Sequence, residues 1–270
     1  GLVRSEFLLP PAGEIPDEAF YRGEFHALCK AAAPLPVTIR LLDIATDKRP
    51  AWMPPLAGAT GTLGLQGARL FDHEPVSRVF HAQLAAIAAL ADQFDIAVLI
   101  PYLTHQDELR ERIGQIRQVL PDTQIGAMAE TPAAALQLPD WLEQAGFVGL
   151  GCNDLMQCLF GADRDQPQLR DYLDPCAPAL FRFLRQVANS AAEGLQRVQV
   201  CGVLPQLPGI LPILLGLGYR VFSVEAASLD SLRKVIALTS TATAGALAAD
   251  VCRAHTSSQV HRILADSVHH

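Results

Sequence analysis

The run Ile96-Ala-Val-Leu-Ile-Pro-Tyr102, the segment from His105 to Leu120, and Gln124-Ile-Gly-Ala-Met-Ala-Glu130 decide the fold. The first run is apolar without alternation, as in a strand buried on both faces. Over 105–120 the apolar residues Leu109, Ile113, Ile116 and Val119 recur at helical spacing. The third piece is again short and apolar. Strand, helix and strand in that order form a βαβ unit with parallel strands. The same reading predicts strands over 1–9, 37–44, 146–151, 198–202 and 219–224. It predicts helices over 76–93, 178–193 and 228–238, and one after Glu130 with Thr131 as N-cap and Pro132 in its first position. From 239 onward the pattern is two short helices with a break at 255–258.

The class is therefore α/β. Seven strands are one short of a closed (β/α)8 barrel, so a barrel needs one more before Gly1; a doubly wound open sheet is the alternative. About 250 residues is the usual size of one such barrel, and the 270 residues read as a single domain, 1–238 barrel and 239–270 tail. The opening at Gly1, with no initiator Met and no signal peptide, reads as a segment of something longer.

Half of the chain is apolar, so it can bury a large core and is not disordered. With 21 basic and 28 acidic residues its net charge is −7, which argues against nucleic acid or an anionic membrane as partner. No apolar run is long enough to span a bilayer; 210–224 comes nearest, and Pro212, Gly216, Gly218 and Arg220 break it. The six cysteines are scattered and form no close-spaced pairs, which fits a reduced, cytoplasmic compartment.

Catalytic groups of a barrel sit at the C-terminal ends of its strands. Arg4 lies in the first strand and Arg40, Asp43, Asp47 and Lys48 in and after the second. Glu130 ends the fourth. Cys152, Asn153, Asp154 and Gln157 follow the fifth, with Arg164 beyond, and Cys201-Gly202 ends the sixth. Two acids at strand ends, Glu130 and Asp154, suit an oxygen-liganded Mg²⁺ with open positions for substrate oxygens. Arginines on the same rim suit phosphate and carboxylate groups. Together they describe a site for a small phosphorylated carboxylate. Plainer roles stand beside these: Asp154 also suits a helix N-cap, Glu130 a loop acid and Cys201 a small buried hydrophobe. Gly216-Leu-Gly218 is half a dinucleotide fingerprint, but it precedes a strand and lacks the third glycine. No P-loop sequence is present.

Gly1-Leu-Val-Arg-Ser-Glu-Phe-Leu8 resembles the G-L-x-R-[TS]-E-F-L motif of the phosphoenolpyruvate (PEP)-utilising enzymes, and its Glu-Phe-Leu ending is closer to Enzyme I of the bacterial sugar phosphotransferase system than to pyruvate phosphate dikinase. The resemblance continues in order. Residues 39–48 resemble R-T-x-D-I-G-G-D-K, 62–69 resemble N-P-x-L-G-x-R-x-x-R, and Gln83-Leu-Ala-Ala-Ile87 resembles Q-L-R-A-I. Residues 125–132 resemble G-x-M-x-E-T-P, 151–157 resemble G-T-N-D-L-x-Q, and Cys201-Gly202 matches the start of C-G-E. The resemblance implies a PEP/pyruvate-binding (β/α)8 barrel whose first strand would precede Gly1. It implies Mg²⁺ on Glu130 and Asp154, PEP phosphate on Arg4, Arg40 and Arg164 with Asn153 and Lys48 assisting, and protonation of the enolate at C3 by Cys201 as pyruvate forms. The phosphoryl group would pass to a His on a separate swivelling domain and then to an HPr-like carrier. A homodimer is also implied.

The departures are Leu41 for Thr, Ala45-Thr46 for Gly-Gly, Thr60-Gly61 for Asn-Pro, Gln66 for an arginine, Cys152 for Thr and Val203 for Glu. Loss of the arginine at 66 removes a charged contact, on the order of 1.5–3 kcal/mol of binding. Weakened or altered PEP handling is the expectation. Two other readings share the residues: a non-catalytic PEP or pyruvate sensor and dimerisation module, and a Mg²⁺-dependent C–C lyase working through a pyruvate enolate.

Overall fold

The computed structural model describes residues 1–8, 10, 13–44, 49–54 and 64–267. Lys48 and the departures at 45–46 and 60–61 lie outside the described residues. The chain packs as two compact units, residues 1–128 with 144–146, and residues 129–143 with 147–270.

In the first unit, β1 (Leu2–Arg4), β2 (Val37–Arg40) and β3 (Ile96–Leu103) pair in parallel, and β4 (Gln124–Ala129) is next in order. All eight residues of β3 are buried, as its unbroken apolar run predicts. Helices α1 (Glu18–Ala32), α2 (Val76–Ala88) and α3 (Gln106–Val119) alternate with the strands. Asp17 caps α1 by accepting from Phe20 N at 2.8 Å. Glu108 reaches back to the amides of Thr104 and His105 at 2.8 and 3.0 Å and sets the start of α3.

In the second unit, β5 (Phe147–Gly151), β6 (Val198–Cys201) and β7 (Val221–Phe222) also pair in parallel in chain order. Helices α4 (Pro132–Leu136), α5 (Leu138–Leu142), α6 (Cys152–Phe160), α7 (Pro178–Ser190), α8 (Ile210–Gly216), α9 (Leu229–Leu238), α10 (Thr241–Arg253) and α11 (Ser257–Ser267) surround them or follow them. Thr131 does cap α4, accepting from Ala134 N at 3.2 Å, with Pro132 in its first position. α7 buries one stripe, Leu180, Phe181, Leu184, Val187 and Ala188.

Strands and helices alternate as in an α/β fold, with all seven expected strands in place. β1, β2 and β7 end short of the expected bounds, whereas β5 ends at Gly151 as expected and β3 runs on to Leu103. β1 stops at Arg4 because Ser5–Phe7 tighten into a 3-10 turn, and β2 stops at Arg40. In the 210–224 run, 210–216 is helical, and of the strand expected over 219–224 only Val221–Phe222 pair. Among the described residues no single helix is long and apolar enough to cross a membrane.

One ion pair in the first unit gives a pH prediction. Arg112 of α3 grips Asp72 with both terminal nitrogens, one at 2.8 Å, and lies over the Phe71 ring. The hydrogen bond from Arg112 holds the Asp72 carboxyl below its ordinary range. A depressed carboxyl stabilises above its unfolded pKa of about 3.9 and loses that contribution as pH falls through its folded value. Asp72 is 60% exposed, so the contribution is under about 1 kcal/mol. Asp72→Asn should lower stability by that amount at pH 7 and by nothing in strong acid. Urea melts at the two pH values check this.

Candidate functional site

The first unit carries Arg4 and Arg40. Parallel pairing of β1 with β2 sets them opposite one another in register, two like charges on neighbouring strands. The 3-10 turn after Arg4 brings Glu6 under both. Its Oε1 is 2.5 Å from Arg40 Nη2 and 3.8 Å from Arg4 Nε. Asp43 adds a second carboxylate to Arg40 at 2.9 Å. The Glu6 side chain is 2% exposed and Arg40 9%, whereas Arg4 is 52% exposed and lies over the Phe7 ring at 4.3 Å. Two arginines therefore meet two carboxylates, and the formal charge of the group is zero.

Two further anchors hold this strand end. Gln83 of α2, fully buried, accepts from Leu42 N at 2.9 Å, beyond the end of β2. This gives the Gln-Leu-Ala-Ala-Ile helix a positioning task. Arg69 donates to Gly64 O at 2.9 Å and to Thr104 Oγ1 at 2.8 Å, and lies over Tyr102. Gln66, at the position expected to carry an arginine, is buried.

The second unit carries Glu130, Asn153, Asp154, Arg164 and Cys201. Glu130 follows β4 and is 3% exposed. A β-carbon on Gly151 would stand 2.6 Å from both Cγ and Oε1 of Glu130, so the glycine makes the seat for this carboxylate. Cys201, the last residue of β6, is the register partner of Gly151. Glu130 and Cys201 thus both neighbour Gly151 at the C-terminal end of β5.

α6 begins directly after Gly151, which is its N-cap, so Asp154 lies in the first turn and does not cap. Its Oδ2 receives Arg164 Nη1 at 3.3 Å. Gln157 of α6 accepts from Arg164 N at 2.9 Å and fixes where that arginine starts. Asn153 Oδ1 accepts from Val203 N at 3.0 Å. Gly202, at φ +92°, passes so close that a β-carbon would meet Asn153 Oδ1 at 2.6 Å. The Cys201-Gly202 turn is thereby docked on Asn153. Val203, where a glutamate was expected, contributes its amide and leaves its side chain exposed.

Cys201 is buried and its Sγ donates to Gln199 O at 3.4 Å. Burial pushes the neighbouring Cys152 thiol far above the ordinary range. Cys152 stays a protonated, small filler at the start of α6. Each of the six cysteines is outside any disulfide.

The structure thus gathers the expected residues into two sets, Arg4 with Arg40 and Glu130 with Asn153, Asp154, Arg164 and Cys201. Glu6 was missed, though two arginines in parallel register call for an anion. Glu130, whose carboxylate has its room beside Gly151, and Asp154 in the first turn of α6 offer oxygen donors of the kind a hard divalent cation such as Mg²⁺ takes.

Comparison with known proteins assigns the family. A multiphosphoryl transfer protein of Xanthomonas campestris is 34% identical over 230 residues, covering 83% of this chain and 27% of that protein. A phosphoenolpyruvate-protein phosphotransferase of Cupriavidus necator is 32% identical over 260 residues, covering 87% and 42%. The chain thus spans less than half the length of these relatives. A citrate lyase structure from Burkholderia xenovorans covers 99% of this chain and 95% of its own at a TM-score of 0.47 and 14% identity, too loose to argue from. The family model for the PEP-binding domain of PEP-utilising enzymes matches residues 1–241, the stretch that holds every motif and both residue sets, and the chain belongs to that family.

Proposed function

We propose that the chain binds PEP with Mg²⁺ and, within a longer phosphoenolpyruvate-protein phosphotransferase of the Enzyme I type, passes the phosphoryl group to a His on a separate domain. The observation that carries this is the Glu130 carboxylate seated on Gly151, beside Cys201 and ahead of the Asp154–Arg164 pair. Glu130 and Asp154 would hold Mg²⁺, which when bound neutralises PEP oxygens and favours loss of the phosphoryl group. Arg164 leaves Asp154 partly for the phosphate, and the half-exposed Arg4 and the buried Arg40 keep the phosphate-binding role of the family. Asn153 holds the Cys201 turn in place and can offer its amide NH₂. In the reaction the P–O bond to the enol oxygen breaks as the N–P bond to His forms. The enolate then takes a proton at C3, from the Cys201 thiol, and pyruvate leaves. HPr-like carriers would receive the phosphoryl group next. The site works in the cytoplasm in this reading, and a homodimer has a free face in α9, which buries none of its ten residues.

One observation favours a second reading, a domain that binds PEP without transferring it. Glu6 and Asp43 already neutralise Arg4 and Arg40, and Gln66 adds no charge. Calorimetry with PEP, with Mg²⁺ and then with EDTA, tests the binding common to both; no heat in Mg²⁺ defeats both. Exchange of labelled pyruvate into PEP by the full-length protein separates them.

Gly151→Ala offers a steric test. The added methyl displaces Glu130, so PEP affinity in Mg²⁺ should fall about tenfold or more, roughly 1.4 kcal/mol. An unchanged affinity would mean that Glu130 takes no part.

A further inference from the structure

Asp174, Cys176 and His261 lie in the second unit, apart from every residue used above. One ligand atom from each, a carboxylate oxygen, a thiol sulfur and an imidazole nitrogen, lie within 4.8 Å of one another. Asp174 and Cys176 flank Pro175 in the turn before α7; His261 is on α11. His261 lies 85 residues beyond Cys176, so the three meet only through the fold.

We propose that these three side chains form a Zn²⁺ site that clamps α11 to the turn preceding α7. The donor set selects the metal. Thiolate, imidazole and carboxylate together suit zinc, whereas Mg²⁺ takes oxygens almost alone. Tetrahedral zinc with bonds of about 2.0–2.3 Å holds its ligand atoms about 3.3–3.8 Å apart. The cluster needs to contract by roughly an ångström to reach this. Side-chain rotation about χ1 and χ2 covers that distance. Three protein ligands leave the fourth position to water.

The surroundings hold the ligands for this. Asp174 Oδ1 accepts from Cys176 N at 2.8 Å, which fixes the carboxylate and sets it over the same turn as the thiol. Cys176 is buried, so its sulfur faces the protein and not bulk water. His261 is exposed on its helix, yet the helix cannot slide. Val260 is fully buried, and Leu264 packs on Gly209, where a β-carbon would stand 3.1 Å from it. Arg182 of α7 already bonds the carbonyls of Cys252, at 3.0 Å, and of Ala254, where α10 ends and the chain turns toward α11. A metal on the cluster would add a second tie nearby, from the turn before α7 to α11, and so join the last helix to the body.

Cobalt is the spectroscopic probe. Metal-free 270-residue chain is titrated with Co²⁺ in excess Mg²⁺, which fills oxygen sites. One equivalent should give a thiolate-to-cobalt charge-transfer absorption in the near ultraviolet, displaced by one equivalent of Zn²⁺. Cys176→Ser should remove the absorption and Cys29→Ser should keep it. His261→Gln, an exposed change that spares the fold, should weaken binding more than ~100-fold, beyond the 10–100-fold of changes outside the ligand shell. Hydrogen exchange over 257–267 should slow with Zn²⁺. No charge-transfer absorption, an absorption that survives Cys176→Ser, or unaltered exchange of α11 would each overturn the proposal.

Discussion

Glu130→Gln is expected to abolish Mg²⁺-dependent PEP binding while leaving the protein folded. The amide keeps the volume of the carboxylate, so the seat on Gly151 is still filled. What goes is the anionic oxygen that a hard cation requires. Outer-shell changes at metal sites cost about 10–100-fold; loss of a ligand should exceed ~100-fold, about 2.8 kcal/mol or more at 1.4 kcal/mol per tenfold. The stability change should be small or favourable, since a buried charge is removed from a position 3% exposed. Any PEP binding left in Glu130→Gln should no longer respond to EDTA. Asp154→Asn should behave alike, with a further loss of under about 1 kcal/mol for its partly exposed pair with Arg164. If both act on one ion, the double variant should bind no worse than either single one, since interacting sites are not additive. Calorimetry of the three variants beside their thermal melts decides the matter. A drop in melting temperature with PEP binding intact would make Glu130 a structural acid and refute the metal assignment.

Much of this was legible in the sequence because it is local. β3 declares itself through eight apolar residues that are all buried, and α4 through Thr131-Pro132. The placement of Glu130 and Cys201 at strand ends was legible for the same reason, as short motifs after apolar runs. Pairing across the fold was not. Arg40 and Glu6 are 34 residues apart, and only parallel register brings Arg4 and Arg40 face to face above a common carboxylate. Gln83 read as one letter of a helical motif; its duty to Leu42 N appears only once α2 is laid beside β2. Asn153 read as a substrate ligand, yet its carbonyl oxygen holds Val203 N, because Gly202 turns with a positive φ that lets the chain pass that close. Strand lengths were overestimated wherever a 3-10 turn replaced the ladder, since Ser5–Phe7 carry no signal that separates them from a strand. Asp174 and Cys176 gave no signal because their third partner lies 85 residues on.

Opposite effects on stability are expected from two glycines, one packed against α10 and one inside it. Gly216 ends α8, and a β-carbon there would stand 2.0 Å from the backbone oxygen of Ala244 in α10, with Ala248 Cβ at 2.8 Å. The two helices touch backbone to backbone, which explains Gly216-Leu-Gly218 without any nucleotide: Gly216 makes the crossing, and Gly218, at φ +103°, makes the turn toward β7. Overpacking of a core costs about 1–3 kcal/mol where side chains can yield. Here the obstacle is backbone, so Gly216→Ala should cost about 3 kcal/mol or more. At roughly 2–4 °C per kcal/mol for a domain of this size, the transition should drop by roughly 6–12 °C. Gly245, the next residue after Ala244, has nothing within 4 Å of its would-be β-carbon. It lies inside α10, where glycine is about 0.5–1 kcal/mol worse than alanine. Gly245→Ala should therefore raise stability by that amount. The fluorescence of Trp141, buried in the same unit, follows both transitions. Equal and small shifts in the two variants would show that α8 and α10 do not cross at Gly216. A fall confined to Gly216→Ala, with Gly245→Ala melting higher than the parent, is the pattern that the close crossing requires.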